Sequence, residues 1–106
     1  MDNTIRNLSA GQYGAGFAGG NTTSAPYTGA GVLATISVVT AGTAALSIYD
    51  GTQVTGATLI YTSATNPAAG TLVTPNLPFS TGLVISGTTG AAGLYVSYLK
   101  DGVNGK

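Results

Sequence analysis

From residue 31 onward the chain consists of short runs of alternating apolar and polar residues, separated by glycine, proline and asparagine. Alternation with a period of two is typical of β-strands, and no stretch shows the 3.6-residue period of an amphipathic helix. Strands are predicted at 31–40, 45–49, 58–62, 71–74, 82–86 and 93–99, with a short edge strand within 21–28. Alternation predicts that Leu46 and Ile48 point inward, and that Leu33 and Ile36 lie on opposite faces of their strand. This count of about 6–7 strands predicts an all-β fold, either a small antiparallel β-sandwich or a jelly-roll-like barrel.

The strand pattern divides the chain into three parts. Residues 31–100 are the predicted β-sandwich domain, and residues 101–106 are a short polar tail. Residues 1–30 are predicted to form an extended Gly-rich N-terminal arm, because the segment 11–20 holds five glycines and only two large side chains. Glycine loses more backbone entropy on ordering than any other residue. The arm is therefore expected to become ordered only against a partner.

The chain carries very few charges. Lysine, arginine, aspartate and glutamate make up 6% of the residues and the net charge is zero, whereas a soluble domain usually has roughly 25%. The charged residues are Asp2, Arg6, Asp50, Lys100, Asp101 and Lys106. A surface of hydroxyls, amides, glycine and alanine does not neutralise phosphates, so no nucleic-acid partner is expected. Such a surface suits packing against protein, since few ions must be desolvated.

The residues that most enzymes use are missing. The sequence has no histidine and no cysteine, so a serine nucleophile lacks its usual base and a metal ion lacks its usual ligands. Asp50 is the one carboxylate within the predicted β-domain, which leaves a paired-carboxylate mechanism without a second acid nearby. Asp50 and Gly51 are instead predicted to form a tight hairpin turn. The sequence therefore predicts no enzymatic activity and no cofactor.

Aromatic side chains are the remaining candidates for a functional surface. Tyrosine anchors protein interfaces and also stacks on sugar rings. Five residues are predicted to lie in a protein interface, namely Tyr13, Phe17, Tyr27, Tyr49 and Tyr61. The alternative is a carbohydrate- or receptor-binding β module that uses tyrosines on one sheet face. Tyr95 and Tyr98 are three positions apart, so they are expected on opposite faces of the last strand.

Small side chains leave the predicted domain with a thin core, and the absence of cysteine excludes a disulfide. We therefore expect self-association, as a homotrimer or a homodimer. The longest apolar stretch, 32–39, is far shorter than the ~20 residues of a membrane-spanning helix. The first residues do not resemble a secretion signal. We expect no membrane partner, and synthesis in a cytoplasm.

Several short motifs occur in an order that resembles a known class of proteins. They are Gly-Ala-Gly-Val-Leu at 29–33, Ala-Gly-Thr at 41–43, Ile-Tyr-Asp-Gly at 48–51, Pro-Phe-Ser-Thr-Gly-Leu at 78–83 and Val-Ser-Tyr at 96–98. This order resembles small β-rich structural proteins encoded among the virion genes of tailed bacteriophages and prophages. The resemblance covers roughly residues 29–98.

The resemblance implies a structural component of the virus particle. The role that it implies first is a capsid decoration (cement) protein, located on the capsid surface and docked on the major capsid protein. A neck, tail or fibre component is the other role that it implies. No catalytic residue is carried over from this class. The predicted arm lies outside the resemblance, and its glycine content alone suggests that it is laid along the major capsid protein or a sister subunit.

Overall fold

The computed structural model describes residues 12–100 and consists of two antiparallel β-sheets packed face to face. The strands of this part are β1 (Gln12–Phe17), β2 (Thr23–Thr28), β3 (Gly31–Thr40), β4 (Leu46–Asp50), β5 (Thr58–Thr62), β6 (Leu72–Val73), β7 (Leu77–Phe79), β8 (Gly82–Gly87) and β9 (Gly93–Lys100). The five-stranded sheet has the order β1-β9-β3-β6, with β7 also paired to β3, and the four-stranded sheet has the order β2-β8-β4-β5. The all-β, sandwich-like fold predicted from the alternation is confirmed.

The N-terminal region differs from the predicted arm. β1 pairs with β9 over its whole length and β2 pairs with β8, so residues 12–28 belong largely to the sandwich. In β1, Ala15 and Phe17 pack against the core, while the glycines between the aromatic residues face outward. The inward side chains and the backbone pairing with β9 offset the entropic cost of ordering the glycines of β1. The rest of the predicted arm, residues 1–11, and the tail 101–106 lie outside the described residues.

The core lies between the two sheets and consists mainly of aliphatic side chains from the central strands. Its fully buried members include Leu33, Ile36, Leu46, Ile48, Leu83, Ile85 and Val96. Leu46 and Ile48 both point inward, as the alternation predicted.

β3 departs from simple alternation. Its pairing with β9 shifts between Leu33 and Thr35, which makes Ala34 the extra residue of a β-bulge. A bulge changes which side chains face inward on either side of it. Leu33 and Ile36 therefore share the core face, although strict alternation predicted them on opposite faces.

Ile48→Ala is expected to lower the free energy of unfolding by about 2–4 kcal/mol, because the cavity it leaves lies between two sheets that cannot fully collapse. Urea denaturation followed by circular dichroism measures this loss. Leu59→Ala on the neighbouring strand is the matched control, since its side chain is 53% exposed, and it is expected to cost less than about 1 kcal/mol. Equal losses in the two variants would contradict this description of the core.

Candidate interaction surfaces

The five predicted interface residues do not share one surface. Phe17 is 4% exposed and packs in the core. The prediction that Phe17 lies in a protein interface is therefore wrong. Tyr13 and Tyr27 take part in one aromatic cluster. Tyr49 and Tyr61 lie elsewhere, on the four-stranded sheet.

The aromatic cluster joins the two sheets. The ring of Tyr98 stacks on Tyr27, with centroids 5.4 Å apart, and on Tyr13, with centroids 6.0 Å apart. Tyr27 also meets Phe79 edge-on at 6.0 Å. Because Tyr27 belongs to the four-stranded sheet and the other three to the five-stranded sheet, the cluster holds one sheet against the other. Burial, together with the neighbouring tyrosines, raises the pKa of Tyr98 above its ordinary value.

Lys100 contacts the same cluster. Its Nζ lies 3.8 Å from the ring centroid of Tyr13 and 5.0 Å from that of Tyr27. An ammonium at such distances is attracted to the negative face of an aromatic ring. The lysine therefore links β1 to β2, which are edge strands of different sheets.

Tyr49 and Tyr61 point to opposite faces of the four-stranded sheet. Tyr61 pairs with the core residue Ile48 and packs against the core, whereas Tyr49 pairs with Val84 on the other face. A single flat sugar-binding platform cannot include both rings.

Tyr61 lines a cleft between the sheets. The cleft has a volume of about 350 Å³, lies under the segment 63–71, and is lined mainly by apolar side chains. Ser63 and Asn66 are among its polar lining residues. Its size falls within the range of small-molecule sites in proteins.

The outer face of the five-stranded sheet carries three exposed apolar side chains, which we call the outer apolar face: Val39, Leu72 and Tyr95. They are 62%, 63% and 52% exposed. Leu72 and Tyr95 both pair with Ser37 from opposite sides, so they flank it in one row across the sheet. Val39 and Tyr95 line a common groove. The sequence predicts that Tyr95 and Tyr98 lie on opposite faces of β9. It does not predict that Val39, Leu72 and Tyr95 lie together, because their proximity depends on the order of the strands in the sheet.

Asp50 is the most highly hydrogen-bonded side chain of the described region. Its Oδ2 accepts hydrogen bonds from the backbone N–H of Ser80 at 2.9 Å and the Ser80 hydroxyl at 3.2 Å. Its Oδ1 accepts from the N–H of Thr81 at 2.8 Å and of Gly82 at 3.3 Å.

The predicted tight hairpin at Asp50 and Gly51 is not formed, since residues 51–57 connect β4 to β5. Asp50 instead holds the connection between β7 and β8, a contact that the local sequence around Asp50 does not predict.

The carboxylate of Asp50 is stabilised in its charged form. Desolvation by burial opposes ionisation, but the three backbone N–H groups and the Ser80 hydroxyl outweigh it, so the pKa of Asp50 lies below its ordinary value. Gly82 allows this close approach, and Gly51 allows the tight path of the loop that follows Asp50. A Cβ at Gly82 would collide with the carbonyl oxygen of Gly51, and one at Gly51 would lie 2.6 Å from the Cβ of Ala57. The two motifs 48–51 and 78–83 are thus in direct contact.

No protein-family model, no curated protein and no solved structure matches this chain. Residues 12–100 contain no helix long and apolar enough to cross a membrane. The same residues contain no group of three or more histidine, cysteine or acidic side chains placed to hold a metal ion.

Asp50→Asn is expected to lower the free energy of unfolding by about 1–2 kcal/mol at neutral pH, because an amide nitrogen replaces an acceptor oxygen that faces the donors. The folded-state pKa of Asp50 is below the unfolded value of about 3.9. The stability that the charge contributes is therefore complete above the unfolded pKa and is lost as pH falls through the folded pKa. Urea denaturation at a series of pH values should give a constant difference between the two proteins near neutrality, and a difference that shrinks below about pH 4.

Ser80→Ala is the matched control for this measurement. It removes one hydroxyl donor and keeps all three backbone donors, so it should cost less than about 1 kcal/mol. A difference between wild type and Asp50→Asn that stays unchanged throughout the acid range would show that the charge is not the source of the stabilisation.

Proposed function

We propose that this chain is a structural protein of a virus particle, of the capsid decoration type, which docks on the major capsid protein and stabilises the shell. The observation that carries the proposal is the surface. Within residues 12–100 the only charged side chains are Asp50 and Lys100, and each is engaged by neighbouring groups of its own domain. A domain with so few charges is better suited to permanent packing against another protein than to remaining a soluble monomer.

The outer apolar face is the contact surface that we assign to the capsid. Three large apolar side chains, each more than half exposed, are grouped there among serine, threonine and glycine. Groups of exposed apolar side chains on one surface are typical of sites that bind another protein. Docking would remove them from water without the cost of desolvating an ion.

The structure joins two of the motifs that carry the resemblance to virion proteins, 48–51 and 78–83. It gives a structural reason for the two motifs to occur together in one chain, because one supplies the carboxylate and the other the donors. We propose self-association and a location on the capsid surface as parts of the same function. We propose no catalytic role, no cofactor, and neither nucleic acid nor membrane as a partner. A neck, tail or fibre component of the same particle is the alternative role, and the number of copies per particle distinguishes it from a decoration protein.

A carbohydrate- or receptor-binding module is the second candidate function. The observation that favours it is the cleft under residues 63–71, which Tyr61 lines together with the polar residues Ser63 and Asn66. An aromatic face with nearby hydrogen-bonding groups is suited to a sugar ring. Saturable binding to an immobilised glycan panel that is lost in Tyr61→Ala but kept in Tyr49→Ala would favour this function.

Particles produced from the genome that encodes this chain test the first function. The protein is expected to co-sediment with intact particles and to be present in a constant ratio to the major capsid protein, measured by quantitative mass spectrometry. A few copies per particle would assign it to the neck, tail or fibres. Absence from purified particles would overturn the virion role.

Leu72→Lys tests the contact surface in the same assay. A charge on the outer apolar face must be desolvated on docking, so occupancy of the particle is expected to fall by about tenfold or more. Thr62→Lys is the matched control, because this exposed residue lies on the four-stranded sheet, and its occupancy should match wild type. Equal occupancy of the two variants would exclude the outer apolar face as the capsid contact.

A further inference from the structure

Three of the four sheet edges in the described region are protected against pairing with another chain. β2 carries Pro26 and an irregularity between Ser24 and Tyr27. β5 has a register shift that leaves Ile60 without a directly opposite residue. The remaining edge next to β3 is divided between β6 and β7, which are two and three residues long. Proline, bulges and short strands are the devices by which natural proteins block edge-to-edge pairing.

β1 has none of these devices. Its six residues pair with β9 in an unbroken register, without proline, charge or bulge. No described residue pairs with its other side. In an antiparallel strand, successive residues direct their backbone groups alternately to one neighbour and to the other. About half of the backbone donors and acceptors of β1 are therefore directed away from β9 and can pair with a further strand.

The sequence of β1 is symmetric about its centre. Residues 13–17 read Tyr-Gly-Ala-Gly-Phe, with an aromatic residue at each end, glycine inside each, and Ala15 in the middle. If two copies pair antiparallel about Ala15, aromatic residues lie opposite aromatic residues and glycine lies opposite glycine. Every inward position then meets an inward position, and no bulky side chain meets another on the outer face.

We propose that β1 pairs antiparallel with β1 of a second copy, about a two-fold axis at Ala15. The two five-stranded sheets then form one continuous sheet across the dimer. Interfaces of this kind are isologous, so the same residues serve on both sides, and main-chain hydrogen bonds provide the affinity. The absence of charged residues from β1 means that two identical edges do not repel each other.

This pairing differs from the capsid contact proposed above and uses another part of the surface. It stands on the edge strand alone and does not require the virion role. Failure to find the protein in particles would leave the pairing intact, and failure of the pairing would leave the outer apolar face as a capsid contact.

Cysteine cross-linking tests the two-fold axis directly, because the chain has no cysteine of its own. In Ala15→Cys the two Cα atoms would be about 4.5 or 5.5 Å apart across the axis, which lies within the range for a disulfide of about 4.4–6.8 Å. Under a mild oxidant this variant is expected to form at least about tenfold more covalent dimer than a variant whose cysteine lies elsewhere on the surface. Circular dichroism confirms that each variant is folded.

Two matched variants place the cysteine on other surfaces. Thr62→Cys lies on the β5 edge, and Leu72→Cys lies on the outer apolar face. The mass of the unmodified chain, measured by sedimentation over a wide concentration range, provides a measurement that needs no variant. A dimer with selective cross-linking at position 15 supports the proposal. A monomer at all concentrations, or a dimer that cross-links only at position 62 or 72 or at none of the three positions, overturns it.

Discussion

The crossing of the chain from one sheet to the other after β7 depends on the carboxylate of Asp50. Only Ser80 and Thr81 separate β7 in the five-stranded sheet from β8 in the four-stranded sheet. Backbone N–H groups in so short a connection have few ladder partners, and such groups are costly when they are left unpaired. One carboxylate accepts hydrogen bonds from three successive amides and so allows the short connection. The strand that follows, β8, lies at the centre of the core.

The same constraint explains part of the composition. The chain brings residues 51 and 82 so close together that Gly82 has no space for a side chain, and the loop that follows β4 leaves no space for one at Gly51. Small residues permit these approaches but supply little apolar area, and the core relies on a few fully buried leucine, isoleucine and valine side chains. The aromatic cluster with Lys100 adds a second connection between the sheets. Each of the two described charges thus contributes to internal structure.

Local pattern was sufficient to predict the sandwich, the inward direction of Leu46 and Ile48, and the separation of Tyr95 from Tyr98. It was insufficient where residues distant in the sequence determine the local structure. The bulge at Ala34 depends on the register with β9, and the role of Asp50 depends on residues about thirty positions away. The sequence alone suggested a local turn at Asp50, because Asp-Gly is common in turns.

β1 was missed for a different reason, since its signal was present in the sequence. Tyr13, Ala15 and Phe17 alternate with glycine, which is the pattern of a strand with one small-residue face. The prediction of an arm rests on the entropic cost of glycine and leaves this alternation out. The structure shows how the cost is offset: the Tyr95 ring lies over Gly14, where any side chain would collide with it. An aromatic residue on a neighbouring strand thereby provides packing that glycine itself cannot.

Protection of the sheet edges follows from the shortage of charge. Natural β-proteins often place lysine or other charges on exposed edges to prevent pairing between molecules, but each such charge must be desolvated wherever the surface packs against another protein. In the described part of this chain, proline, bulges and short strands protect the edges at β2, β5 and β6/β7 instead. These devices act through backbone geometry, so they block pairing at one edge without adding charge to the adjacent faces. Selective use of them can therefore leave one edge available for association while the outer faces remain uncharged, and β1 is the edge on which they are absent.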